Sequence, residues 1–292
     1  MKAYIFPGQG SQFTGMGQDL YNSSENAKHL FNIANELLGF EISKLMFEGT
    51  KEELMQTNVT QPAIFIHSCI LAACTPNFQP NMVAGHSLGE FSALVAAKTI
   101  SFEDGLLLVS KRAEAMHKAC QNKDSTMAAV IGLQADTIEE ICHSEPGIVT
   151  AANYNTPEQI VISGETKSID KVCIKLSEIG AKKTVKLSVN GAFHSPIMSS
   201  AKNNLEKAIN SIQFKAPLCP IYQNVSAQPN TNPIKIKENL ILQLTSPVKW
   251  YQTIQQMIID GASVFFEIGP GNVLSGLNRR IDRNVPISKG TF

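Results

Sequence analysis

Residues 81–97 leave this chain little conformational choice. Asn81-Met82-Val83-Ala84 is a short apolar run that ends at Gly85-His86-Ser87-Leu88-Gly89, and a helical pattern follows from Glu90 to Ala97. G-x-S-x-G between a strand and a helix marks a sharp, strained turn with its serine at the apex. The positions flanking that serine must be small if the backbone is to fold so tightly. The turn would lift the Ser87 hydroxyl to the helix N-terminus, where unpaired N–H groups and the helix dipole favour negative charge. A developing oxyanion would be stabilised there. A tight turn whose serine only caps the helix has the same short pattern. The flanking strand and helix favour the nucleophile.

A serine nucleophile needs a base. Of the histidines, His29, His67, His117 and His143 fall within helical patterns. His86 adjoins the serine, but neighbouring side chains on a sharp turn diverge. His194 sits in the loop Asn190-Gly191-Ala192-Phe193-His194-Ser195-Pro196, between a strand and a helix, where catalytic groups concentrate. Arg112 is the one arginine in the first 278 residues. It shares a helical face with Gly105, Leu108, Ala115 and Ala119, and a guanidinium among such neighbours needs an anionic partner. Arginine grips a carboxylate with two parallel hydrogen bonds. From the residues alone, an arginine that snorkels to water at the helix edge fits equally well.

The pattern is α/β. Residues 3–6 read as a strand running into a glycine-rich turn. Helices are expected over 24–38 and 51–55, over 61–74 with Pro62 in the first turn, and from Ser101 to Cys120. Residues 121–125 read as a polar linker. Beyond it, strands at 127–131, 148–153, 159–163 and 183–189 and helices at 137–143 and 169–179 give the order β-α-β-β-α-β, the ferredoxin-like arrangement. Residues 154–158 would be its hairpin loop. A helix over 196–211, strands at 221–225 and 264–268, and helices at 235–244, 249–259 and 272–282 complete the chain. The expected division is a larger domain of residues 1–123 and 191–292 with a small subdomain, 124–190, inserted.

Formal net charge is zero, so no global electrostatic case exists for nucleic acid or an anionic membrane. No stretch approaches the roughly 18–20 apolar residues of a bilayer span. The six cysteines form no C-x-x-C pair, and no Cys/His set has zinc spacing. Free thiols, no metal and a reducing, cytoplasmic setting are expected.

Five segments in order carry a family resemblance: Phe6-Pro7-Gly8-Gln9-Gly10-Ser11-Gln12, Gly85-His86-Ser87-Leu88-Gly89-Glu90, Arg112 with Met116, Ala192-Phe193-His194-Ser195-Pro196, and Glu267-Ile268-Gly269-Pro270-Gly271. Over nearly its whole length the chain resembles the malonyl-CoA:acyl carrier protein transacylases of bacterial fatty acid synthesis and the acyltransferase domains of polyketide synthases. The resemblance implies an α/β-hydrolase-like larger domain with a parallel sheet, plus the inserted ferredoxin-like subdomain. It implies an [acyl-carrier-protein] S-malonyltransferase working by a ping-pong cycle through a malonyl-Ser87 ester.

In that scheme His194 is the base, and the backbone carbonyl of Gln243 orients it. The amides of Gln9 and Leu88 form the oxyanion hole, and Arg112 holds the malonyl carboxylate. Met116 and His86 line the substrate site, where Phe193 disfavours an α-methyl branch. The substrates are malonyl-CoA and holo acyl carrier protein, whose phosphopantetheine supplies the accepting thiol. Neither metal nor redox cofactor is implied, and the enzyme is expected to be a monomer. An acidic carrier would need basic surface, for which Lys182, Lys183, Lys186, Arg279 and Arg280 are candidates. Ala113, where many members have glycine, and Phe193, where some stand-alone enzymes have serine, depart from the pattern. The free-standing length favours fatty acid synthesis over a specialised polyketide pathway. A patatin-like lipid hydrolase shares G-x-S-x-G but uses an Asp-Gly pair, for which Asp260-Gly261 is the candidate. A non-catalytic carrier-binding module would not need Ser87, His194, Arg112 and Gln9 together.

Overall fold

The computed structural model describes residues 1–121 and 123–291. Its strands are β1 (Lys2–Phe6), β2 (Met82–Gly85), β3 (Ser125–Ile131), β4 (Val149–Thr156), β5 (Gln159–Glu165), β6 (Lys183–Lys186), β7 (Ile221–Tyr222), β8 (Pro229–Asn230), β9 (Val264–Glu267) and β10 (Ile287–Lys289). They form two sheets, ordered β10-β9-β1-β2-β7-β8 and β4-β5-β3-β6.

The larger sheet is parallel from β10 to β7, with β8 added antiparallel. Alternation along β1 explains its continuous apolar run. Tyr4 and Phe6 enter a core shared with helices Glu25–Leu38, Thr57–Cys74, Gly89–Ala96 and Phe102–Gln121, whereas Ala3 and Ile5 face helices Trp250–Ile259 and Val273–Ile281. A parallel strand covered on both faces has no solvent side to mark with polar residues.

The smaller sheet is antiparallel throughout, and helices Ala135–Ser144 and Thr166–Glu178 pack on one face. Ala128, Val130, Ile160 and Ile162 point into that private core. Met127, Ala129 and Val161, on the opposite face, belong to the large core. A seam ties the small sheet to the segment before helix Trp250–Ile259: the Tyr154 N–H donates to Val248 O at 2.9 Å, and the Val248 N–H to Ala152 O at 2.8 Å.

Several expected boundaries shift. The linker over 121–125 shrinks, because the preceding helix runs through Gln121 and β3 begins at Ser125; Asn122 lies outside the described residues. The long helix begins at Thr57, so Pro62 lies beyond its first turn. The hairpin loop narrows because β4 continues to Thr156. β6 stops at Lys186, and the chain leaves the sheet to reach His194. β7 is two residues long because Gln223 and Asn224 turn away from the sheet to bond elsewhere. Helices Gln18–Ser23 and Ile42–Glu48 were not anticipated. Among the described residues no helix is long and apolar enough to cross a membrane.

Candidate active site

Sterics explain the turn after β2. A Cβ on Gly85 would lie 1.9 Å from the Gly89 carbonyl carbon, and one on Gly89 would lie 2.0 Å from Phe6 O. Neither clash could be relieved, because both neighbours are backbone. Ser87 takes φ 53°, a left-handed conformation that costs a non-glycine residue stabilisation. The amides of Gly89, Glu90 and Phe91 bond back to the carbonyls of His86, Ser87 and Leu88.

His194 also has positive φ, 60°, on the loop that leaves the small sheet. Its Nε2 lies 2.8 Å from Ser87 Oγ. Its Nδ1 lies 2.9 Å from the Gln243 carbonyl oxygen. A carbonyl can only accept, so Nδ1 carries the proton and Nε2 is left to accept from the serine. Burial, then the Arg112 charge, push the imidazole down to about 3, against the pull of the Gln243 bond.

Arg112 is 1% exposed and does not snorkel. It donates to Gln61 Oε1 at 2.6 Å, to Ser87 Oγ at 3.0 Å and to Gln243 Oε1 at 3.1 Å, all neutral oxygens. Its guanidinium lies 5.7 Å from the Phe91 ring centroid. Among the described residues its Nε has no partner. This is a cation stripped of water and only part-satisfied, next to a nucleophile.

Beneath the turn runs a polar network that sequence reasoning missed. Asn224 Oδ1 accepts the Ser87 N–H at 2.7 Å, and Asn224 Nδ2 donates to Gly85 O at 2.6 Å. Glu90 Oε1 accepts the Asn224 N–H at 2.7 Å, and its Oε2 accepts from Gln243 Nε2. Gln61 was seen only as a helix residue. Glu90 was the one charge on helix Gly89–Ala96, a usable signal. Asn224 had none, because it sits in a stretch that read as strand.

A cleft of about 160 Å³ between the two sheets brings these groups together. Gln9, His86, Ser87, Leu88, Arg112, Met116, Phe193 and His194 line it, with Met127, Asn153, Asn155 and Val161 from the small sheet and Leu187 and Val189 beyond it. His86 turns aside from the serine and bonds Asn155 Oδ1 at 2.9 Å. Asp260 is not in the cleft: it accepts from Tyr222 and Gln256 and ends its helix, with Gly261 at φ 98°. Lys182 and Lys186 are already paired with Glu158 and Asp170, and Arg280 bonds Gln159. Lys183 and Arg279 are exposed. Among the described residues no group of three or more His, Cys, Asp or Glu could hold a metal ion.

Chemically the cleft offers a base-coupled serine, Leu88 at a helix start and a buried cation, the equipment for acyl transfer from an anionic acyl group. The acyl transferase domain model matches residues 3–285. The malonyl CoA-acyl carrier protein transacylase of Staphylococcus aureus (strain MRSA252) is 42% identical over 289 residues, 98% of this chain and 94% of that one. The solved malonyl CoA-acyl carrier protein transacylase of Coxiella burnetii superposes with TM-score 0.96 at 35% identity, covering 99% of this chain and 93% of that one. A malonyl-transacylase solved in complex with its type II PKS acyl-carrier protein gives TM-score 0.94 at 33% identity, covering 99% and 95%. The chain belongs to the acyl transferase domain family, in its malonyl CoA-acyl carrier protein transacylase branch.

Proposed function

We propose that this chain moves the malonyl group from malonyl-CoA to the phosphopantetheine thiol of acyl carrier protein through a malonyl-Ser87 ester, in the cytoplasm and for fatty acid synthesis. The observation that carries the reading is the environment of one oxygen: Ser87 Oγ has His194 Nε2 at 2.8 Å and Arg112 Nη2 at 3.0 Å. Base and carboxylate receptor converge on the nucleophile. That fits an acyl group whose acid end lies one methylene from the attacked carbonyl.

In the first half-reaction Ser87 Oγ attacks the thioester carbon while its proton passes to His194 Nε2. The oxyanion is held by the amides of Leu88 and Gln9, which both line the cleft. The C–S bond breaks, and the coenzyme A sulfur leaves with the proton from His194. In the second half-reaction the carrier's thiol gives its proton to His194 and attacks the ester, and Ser87 recovers its hydroxyl. Arg112 fixes the carboxylate and so orients the carbonyl. The same ion contact acts on the base. In the resting site the Arg112 charge lowers His194. A substrate carboxylate offsets that charge and removes this part of the lowering, which an acetyl group cannot do; burial, the larger cause, remains. The Gln243 carbonyl is neutral, so it stabilises the imidazolium less than the aspartate of a protease triad would.

Phe193, buried at the cleft wall, disfavours methylmalonyl; one such contact discriminates by about 10- to 200-fold. Residues 124–190 act as a subdomain whose outer face closes the cleft, with 1–123 and 191–292 forming the catalytic domain. Protein incubated with radiolabelled malonyl-CoA is expected to carry label on the Ser87 peptide. Ser87→Ala and His194→Ala lose it, and Asp260→Ala keeps it. Label that survives Ser87→Ala refutes the mechanism.

A further inference from the structure

Glu90 is a fully enclosed carboxylate near the start of helix Gly89–Ala96, and the cycle above gives it no step. Both its oxygens are held by donors, the Asn224 N–H and Gln243 Nε2. Both donors belong to residues that touch reacting groups. Asn224 takes the Ser87 N–H, and Gln243 takes Arg112 Nη2 through Oε1 and the His194 Nδ1–H through its carbonyl.

The Gln243 amide therefore stands between an anion and a cation, its oxygen toward the guanidinium and its nitrogen toward the carboxylate. A flip would set like against like at both ends. An ion pair bridged in this way orients its bridge, and that bridge is also the residue that aligns the base.

We propose that Glu90 is the resident counter-charge of Arg112, acting through Gln243, and that it takes up a proton when the substrate's carboxylate reaches Arg112. The proposal rests on the reading that Arg112 receives that carboxylate. A second anion brought to one guanidinium, in a site shut off from water, favours the neutral form of the first. Glu90 is already poised for the change: burial pushes it up to about 8, opposed by the Asn224 and Gln243 bonds and by Arg112. The uptake makes Glu90 a positioning residue with a switch. In the empty site above about pH 8 its charge holds Gln243 and Arg112 in register. In the loaded site it yields, leaving the guanidinium to the substrate.

The other titratable groups around it cannot supply the same signal. Arg112, from helix Phe102–Gln121, is pushed down to about 10 by burial, with Glu90 opposing. His194, from the loop after Asn190, is pushed down to about 3, and His86, on the turn itself, is lowered by burial. At pH 8.5 the guanidinium stays charged and both imidazoles stay neutral, with or without ligand. A proton taken up there belongs to Glu90.

Calorimetric titration of malonyl-CoA into Ser87→Ala protein at pH 8.5, in Tris and in bicine, reads the proton count without acyl transfer. The expected result is uptake of roughly half to three-quarters of a proton per malonyl-CoA bound, and none for coenzyme A alone. Affinity should weaken by up to about tenfold per pH unit above 8.5, as one-proton linkage requires. In Ser87→Ala/Glu90→Gln the uptake and the pH slope should vanish while binding persists. Malonyl-CoA binding to Ser87→Ala without proton uptake overturns the proposal, whether or not the double variant folds. So does uptake that survives Glu90→Gln. If Ser87→Ala/Arg112→Ala binds malonyl-CoA as well as Ser87→Ala does, the reading of Arg112 fails first, and the proposal falls with it.

Discussion

The molecule has two interiors built on different rules. Under the small sheet, Val130, Ile138, Ile160, Ile162, Ile169 and Leu176 form an aliphatic core. Under Ser87, the equally buried Gln61, Glu90, Arg112, Asn224 and Gln243 form a chain of hydrogen bonds. Aliphatic packing has no direction, and several arrangements of similar volume serve nearly as well. A buried polar network has one arrangement in which every donor meets an acceptor, and departures leave groups unsatisfied at low dielectric. Two of the five described non-glycine residues with positive φ, Ser87 at 53° and His194 at 60°, stand on the directional interior. Strain of this kind persists only where the surroundings over-determine it. The polar interior holds the geometry of the site, and the apolar one holds the small sheet together.

Asn224→Ala is the sharpest attempt to break that division. It removes the acceptor of the Ser87 N–H and the donor to Gly85 O in one step. The elbow would relax, and acyl-enzyme formation from malonyl-CoA should slow by about 10²-fold, as misplacement of a nucleophile does. Asn224→Asp, which keeps the acceptor and loses the donor, should fall between. Rapid-quench labelling of Ser87 reads both. Unchanged rates would mean that the glycine sterics alone hold the turn.

Ile162→Ala tests the other interior. Ile162 is fully buried under both small helices. Its truncation should cost about 2–5 kcal/mol in denaturant titration. The labelling rate at a temperature where the variant is folded should stay within about threefold of wild type, since non-site substitutions act mainly through the folded fraction. A rate loss comparable with that of Asn224→Ala would show that the small core positions the site as well.

The same contrast explains what the sequence disclosed. The α/β class and the β-α-β-β-α-β order were legible because each rests on local periodicity: a buried parallel strand such as β1 and alternating strands such as β3 repeat within a few residues. Helix Gln18–Ser23 and strand Pro229–Asn230 are too short to show a period. Ser87 could be named in advance from its local motif, whereas Arg112 and His194 were assigned their roles only by the resemblance that five ordered segments carry. The Ser87–Asn224 bond spans 137 positions and the Glu90–Gln243 bond 153. No local pattern marks such partners. Even Arg112 was ambiguous by itself, since the helical face that buries it equally suits an arginine at the edge.

Two histidines carry the comparison to its smallest effect. His194 is buried neutral with both ring nitrogens engaged. His67, on helix Thr57–Cys74, is also buried, but its Nδ1 has no partner among the described residues. Burial lowers it from 6.5 to about 4, with the Asp19 charge opposing and Lys289 assisting. By pH 8 neither the folded nor the unfolded state protonates it to any extent, and it has almost no effect on stability. As pH falls below 6.5 the unfolded chain takes up a proton that the native site refuses, so stability declines until the native group titrates near 4. The loss from this group at pH 5 relative to pH 8 should be about 2 kcal/mol by linkage. His67→Leu should remove that part of the acid slope in urea titrations at the two pH values, and leave Ser87 labelling unchanged. His194→Leu should flatten a similar slope and abolish labelling. If His67→Leu leaves the acid slope intact, the imidazole is protonated in the folded protein, and the orphaned nitrogen has a partner that the fold supplies only as the pH falls.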